Sequence, residues 1–306
     1  MSPWLIALIA VAALLIGGGW YFSHIVLYPQ TWEVQASYDY VVEAGQLDPV
    51  QWKAWPKEEV RIQSPHGYPL FGIYLPQPAS KKTVIIVHGI SFTLYGSVKY
   101  VEMFYRRGFN VLLVDQRHHG RSGGPNTTFG LEEKYDIQAW MDWALERSGE
   151  RGGEGCRVGT HGESLGAATV LQHAAIDPRV AFVIADCPYA SAFDEFAYRF
   201  RADYRLPPFP WIQIANLISK ARAGFAFEAA APIATISEVT TPIFFIHGAD
   251  DDYIPPEASR ALYAAKRRGV RKIWLAPNAA HAESLIKNPA AYDRRVGEFL
   301  AEIGME

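Results

Sequence analysis

Cysteine is nearly absent from this chain. There are two, Cys156 and Cys187, among 306 residues. Neither belongs to a CxxC pair or to a Cys/His cluster at zinc-ligand spacing, and both read as small buried apolar residues. An excess of charge of one sign is missing too. Lys and Arg number 29 against 32 Asp and Glu, for a formal net charge of -3. With no long basic run, the chain has no electrostatic footprint for nucleic acid. There is no internal repeat and no low-complexity tract. Apolar residues are plentiful, 49% of the chain, enough to fill one large domain or two small ones.

Charge is wholly lacking in one place. Residues 4–22, WLIALIAVAALLIGGGWYF, form an apolar run of the length that crosses a bilayer. No Lys or Arg precedes the run and no small-x-small cleavage site follows it, as a cleaved signal peptide would need. Trp20, Tyr21, Phe22 and Tyr28 resemble an interfacial aromatic belt. The reading is an uncleaved anchor over 1–23, with a cleaved signal or a buried helix as alternatives. The first Lys after it is Lys53, preceded by Glu33, Asp39 and Glu43. That bias favours the N-terminus inside and the globular part outside, an extracytoplasmic domain. Residues 24–57 read as a polar and aromatic connector without clear periodicity.

From residue 58 onward, apolar runs alternate with helical patterns. VRIQS (60–64) and PLFGIYLP (69–76) flank a turn and predict a hairpin. TVIIVHG (83–89), NVLLVDQR (110–117), CRVGTHG (156–162), AFVIADCP (181–188), TPIFFIHG (241–248) and RKIWLAP (271–277) are runs expected of strands covered on both faces. Helical patterns fall at 98–108, 131–148, 166–175, 258–269 and 290–304. In the second of these, Tyr135, Ile137, Trp140, Trp143 and Ala144 mark an expected core stripe. Eight strands alternating with helices predict an α/β fold with a mostly parallel sheet. About fifty residues, 189–238, interrupt the alternation. They are aromatic and basic, and read as a cap of short helices inserted at a strand's carboxyl edge, where such caps shape substrate pockets.

HGESLGAATV (161–170) places Ser164 between a strand and a helix, flanked by Gly162 and Gly166. The G-x-S-x-G elbow requires that context. The glycines permit close backbone packing around a strained serine, and the helix N-terminus directs N–H groups toward developing negative charge. The serine needs a base. His281 follows the last strand, and loops after the carboxyl ends of parallel strands share one edge. His24, His66, His161 and His173 lie in places that suit structural roles. An acid must orient the base, and Asp250, Asp251 and Asp252 are all candidates. No EF-hand spacing accompanies these three carboxylates, so no metal is expected. The backbone amides of Ile90 and Leu165 are the expected oxyanion donors, while His88 braces its loop.

These parts, in the order serine, aspartate, histidine, make the chain resemble an α/β-hydrolase from about residue 58 to 304. VHG (87–89) is similar to that superfamily's oxyanion strand. DQRHHGRSGG (115–124) is similar to its D-x-R-x-x-G-x-S loop, and HGADDDYIP to its H-G-x-x-D-x-x-V/I-P pattern, which falls on Asp251. The resemblance is greatest to membrane-anchored bacterial hydrolases of the serine-aminopeptidase-like or esterase-like group. It implies an eight-stranded, mostly parallel sheet flanked by helices, a domain over 58–306 with a small cap, catalytic Ser164, Asp251 and His281, and no cofactor. It also implies that Cys156 and Cys187 lie at opposite edges of the sheet, beyond disulfide reach. The expected activity is hydrolysis of an ester, thioester or amide through an acyl-enzyme. Carboxylic esters of medium size, including lipid-derived ones, are favoured as substrates. Serine peptidase or acyltransferase activity is the alternative, as is a membrane-tethered binding protein that keeps the fold without turnover.

Overall fold

The computed structural model describes residues 1–152 and 155–306. A helix α1 over Pro3–Leu27 opens the chain, followed by α2 over Val34–Glu43 and α3 over Pro49–Ala54. The sheet begins with β1 (Glu58–Gln63), β2 (Pro69–Leu75) and β3 (Lys82–Val87). A 3-10 turn over Leu94–Tyr100 leads into α4 (Val101–Tyr105), then β4 (Asn110–Val114) and α5 (Glu133–Gly152). Next come β5 (Arg157–Glu163), α6 (Leu165–Ala174) and β6 (Val180–Asp186). Two helices, α7 (Ala192–Tyr204) and α8 (Trp211–Ala223), precede β7 (Ile243–Gly248). The chain closes with α9 (Glu257–Ala265), β8 (Arg271–Ala276), α10 (Ser284–Lys287) and α11 (Pro289–Glu302).

The eight strands form one sheet in the order β1-β2-β4-β3-β5-β6-β7-β8. β2 pairs antiparallel with both β1 and β4, and the other neighbours run parallel. The alternation of side chains along β3 explains its unbroken apolar run. Val84 and Ile86 point into a cluster with Phe104, Tyr292 and Phe299 on one face. Ile85 and Val87 point into a cluster with Trp140, Val170 and Leu171 on the other. α6 is buried at all ten positions, which its small residues allow.

Three expectations need correction. The segment 24–57 is not irregular: α1 continues to Leu27, and α2 and α3 bury Ser37, Val41 and Trp52. The pattern at 98–108 begins as a 3-10 turn before it becomes α-helical. In α5, Tyr135 is exposed, and Met141 is buried beside Ile137, Trp140 and Ala144. Cys156 and Cys187 form no disulfide. Residues 189–238 hold α7, α8 and two short 3-10 turns, which together with Leu27 of α1 make a third apolar cluster.

Candidate active site

Ser164 sits between β5 and α6 at φ 54°, ψ -117°, a backbone conformation that is uncommon outside glycine. Backbone crowding fixes the residues around it. A Cβ at Gly162 would collide with the Gly166 carbonyl, and one at Gly166 with the carbonyl of Val87 on the neighbouring strand. The Ser164 amide donates to the Asp186 carbonyl at 2.8 Å, which ties the turn to β6. The side chain is thereby lifted from the carboxyl edge of the parallel strands, where sites of open α/β sheets assemble.

The loops after β7 and β8 meet it there. His281 Nε2 lies 3.0 Å from Ser164 Oγ, and His281 Nδ1 lies 2.8 Å from Asp251 Oδ2. Of the three adjacent aspartates, only Asp251 is buried. Its Oδ1 accepts from the amides of Tyr253 and Ile254 at 3.0 and 2.9 Å. Burial alone would raise this carboxyl, but hydrogen bonds from His247 and His281 hold it well below the usual carboxylate range. The carboxylate therefore accepts from Nδ1–H of His281, which leaves Nε2 free to accept from the Ser164 hydroxyl. His247 is the partner that sequence reasoning missed. Its Nε2 lies 3.2 Å from Asp251 Oδ2 and 2.8 Å from the Ile254 carbonyl, and its Nδ1 lies 2.7 Å from Ser259 Oγ. The signal was present in HGADDDYIP, where His247 precedes Asp251 by four residues.

Ile90 and Leu165 both line the cavity that Ser164 faces. Leu165 opens α6, so its amide has no intrahelical carbonyl to bond. The Ile90 loop is held by neutral histidines. Burial pushes His88 down to about 3 and His119 down to about 4. His88 Nε2 accepts from the Gln116 amide at 3.0 Å, and His119 Nε2 accepts from the Ser91 amide at 3.2 Å. The loop 115–124 is structural: Asp115 accepts from the amides of Leu94 and Arg121 at 2.7 and 2.8 Å.

A buried polar network lies beneath the elbow. Lys99 Nζ reaches Glu163 Oε2 at 2.6 Å and donates to the Ala282 carbonyl at 3.0 Å. Tyr100 donates to Glu163 at 2.5 Å and approaches Asp186 at 3.1 Å. Ser284 donates to the other Asp186 oxygen at 3.1 Å. Lys99 thus grips the residue after His281, at a position where Ala282 has φ 60°.

The cavity holds about 700 Å³, within the range of small-molecule sites. Phe129, Tyr189, Phe196, Phe200 and Ile212 supply much of its lining, and α1 adds Phe22, Ile25 and Val26. Glu195 and Arg199 of α7 face it as well. Glu195 Oε1 finds no hydrogen-bond partner among the described residues, and burial pushes the carboxyl up to about 8. One trio among the described residues could approach a metal: donor atoms of Cys187, Asp251 and His281 lie within 4.8 Å of one another. Burial holds the Cys187 thiol protonated, well above its ordinary value, and the other two groups are engaged with each other. That donor set suits hydrogen bonding better than metal ligation.

Comparison with known proteins agrees with this architecture. Over 302 residues the chain is 35% identical to the Bacillus subtilis (strain 168) protein YqkD, covering 98% of this chain and 97% of that protein. It is 26% identical over 202 residues to the lysophosphatidylserine lipase ABHD12 of Macaca fascicularis, covering 63% of this chain and 48% of the lipase. An esterase of Pyrococcus furiosus has the same fold, with a TM-score of 0.68 at 24% identity over 84% of this chain and 96% of the esterase. The family model described as X-Pro dipeptidyl-peptidase (S15 family) matches residues 52–223. On the sheet order, the elbow and these matches together, the chain is an α/β-hydrolase and belongs to the S15 family.

Proposed function

We propose that this α/β-hydrolase is a membrane-anchored serine hydrolase of carboxylic esters. Ser164 attacks the ester carbonyl while His281 takes its proton and then delivers it to the leaving alcohol. Asp251 holds the imidazole in the tautomer that leaves Nε2 as acceptor. The amides of Ile90 and Leu165 receive the oxyanion, each contributing about 2.7 to 4 kcal/mol to the transition state. Water, activated by the same imidazole, then releases the acid and regenerates Ser164. The observation that carries this reading is the continuous line Ser164–His281–Asp251, at 3.0 and 2.8 Å, opening on an apolar cavity.

The aromatic and aliphatic lining supports an acyl chain of medium length, including chains from lipids. The lysophosphatidylserine lipase among the relatives supports the same direction. α1 supports anchoring: it is long and apolar enough to cross a membrane, and its end is bonded to the domain. The Thr127 amide donates to the Leu27 carbonyl at 2.9 Å and its hydroxyl to the Val26 carbonyl at 2.8 Å. A signal cleaved at the end of the apolar run would instead remove Phe22, whose ring packs against Phe200 and Tyr204 of the cap. The charge bias after the helix supports an extracytoplasmic domain. A peptidase is the second reading, favoured by the S15 match.

The test is labelling with a fluorophosphonate probe, comparing wild type with Ser164→Ala and His281→Ala. Labelling of the wild type and loss in both variants is the expected result. Labelling that survives Ser164→Ala would sink the assignment. Turnover of p-nitrophenyl esters against aminoacyl p-nitroanilides then separates esterase from peptidase.

A further inference from the structure

Helix α8 of the cap lies along α1 and runs parallel to it. A Cβ at Gly18 would collide with Trp211, the first residue of α8, and one at Gly19 with Ile214. Near the far end of α8, Arg222 donates to Ser23 at 3.4 Å and stands over the rings of Trp20 and Tyr28. Rising numbers in one helix therefore meet rising numbers in the other. The start of α8 and the loop 205–210 before it point back along α1, toward its apolar half. That loop exposes Leu206 at 47% and Phe209 at 71%. The last turn of α8 carries Lys220 and Arg222.

A helical run over residues 4–22 rises about 28 Å, close to the roughly 30 Å hydrocarbon thickness of a bilayer. Gly18 lies four residues inside the end of that run, about 6 Å below it. Trp211 sits at this depth, and Leu206 and Phe209 are carried by the loop just before it. Lys220 and Arg222 fall at the level of headgroups. Apolar tips below a basic rim are the pattern of an interfacial membrane element. The Ser164 cavity begins where that run ends, with a wall built from Phe22, Ile25 and Val26 of α1 and Phe200, Tyr204 and Ile212 of the cap.

We infer that residues 206–210 and the start of α8 are immersed in the leaflet that α1 enters, with Arg205 left at the headgroup level beside Tyr204, and that the substrate is a lipid ester drawn from that leaflet between α1 and the cap to Ser164. This rests on the reading of Ser164 as the nucleophile of an anchored hydrolase. The acyl chain passes the aromatic wall while the ester reaches the serine, so the lipid never crosses water.

The test uses the full chain in phosphatidylcholine vesicles. One substrate is a monoacylglycerol with a pyrene-labelled long acyl chain embedded in the vesicles, and the other is soluble p-nitrophenyl butyrate. The double variant Leu206→Asp, Phe209→Asp is expected to lose at least about tenfold on the embedded ester, because carboxylates resist entry into the apolar layer. Its turnover of the soluble ester stays at the wild-type level. Equal loss on both substrates, or no loss on either, overturns the inference. A wild type that cleaves the soluble ester and not the embedded one overturns it too, and leaves the hydrolase reading standing. A wild type that cleaves neither and takes no fluorophosphonate brings down the hydrolase reading itself. Independently, an environment-sensitive fluorophore on Phe209→Cys, in a Cys156→Ser background, is expected to be quenched by nitroxide lipids in the vesicles. Absence of quenching overturns immersion.

Discussion

Asp251 shows how much one carboxylate is asked to hold. It accepts from two backbone amides and sits beside two imidazoles. In Asp251→Asn the amide keeps the shape but can present N–H to His281, which favours the tautomer that cannot accept from Ser164. Under the proposed roles kcat falls roughly 10³- to 10⁴-fold with folding intact, measured on a soluble ester beside a thermal melt. Glu195 makes the opposite case. Its carboxyl titrates at about 8 in the folded chain, against an ordinary value of 4.5. Between these values the native state holds a proton that the unfolded state has released, so stability falls as pH rises through that window. Glu195→Gln removes the titration. Its melting temperature is expected to exceed the wild type's at pH 9 and to match it near pH 4, and a constant difference across that range would refute the assignment. Ser164 and His281 were legible because each follows an apolar run and must reach the same sheet edge. Asp251 was separable from Asp250 and Asp252 only by resemblance, because burial decides among three identical side chains.

At the scale of elements, the loop after β8 is positioned by a residue that the sequence disguises. Lys99 lies in an amphipathic stretch where a lysine ordinarily faces water. Here a 3-10 start turns it inward, and its side chain is 8% exposed. Burial would lower its affinity for a proton, but Glu163 beside it raises it. Lys99→Met leaves Glu163 and Asp186 buried without their cation, a change that typically costs about 3 to 5 kcal/mol. Chemical denaturation is expected to report that loss, and Lys99→Met, Glu163→Gln to recover part of it. Loosening of Ala282 is expected to lower kcat more than it changes KM for a soluble ester. The strands were legible because two covered faces demand unbroken apolar runs. α2 and α3 were not, because their buried faces use Ser37, Val41 and Trp52, too few and too mixed to make a period. The end of α1 was hidden for a related reason. Ser23 and His24 look like the end of an apolar span, yet Ser23 is fully buried and meets Arg222.

At the scale of the molecule, the question is whether α1 is a tether or part of the fold. A tether would leave the cavity intact when disturbed. Instead Phe22 packs edge-on against Phe200 and Tyr204 of the cap, with centroids 4.7 and 5.0 Å apart. Leu27 is fully buried in the cluster that also holds Leu165, the residue after Ser164. Small residues make this seam possible, as they do wherever two helix backbones approach closely. Gly19→Leu places a branched side chain where Ile214 already stands, which forces α8 away from α1 and shifts the cavity wall. The variant lies outside the cavity and far along the chain from Ser164. Even so, it is expected to raise KM for soluble p-nitrophenyl esters and to lower the melting temperature of the detergent-solubilised full chain. Unchanged kinetics and melting in Gly19→Leu would reduce α1 to a tether. The expected result makes the end of α1 a wall of the site, whatever the apolar run before it does in a membrane.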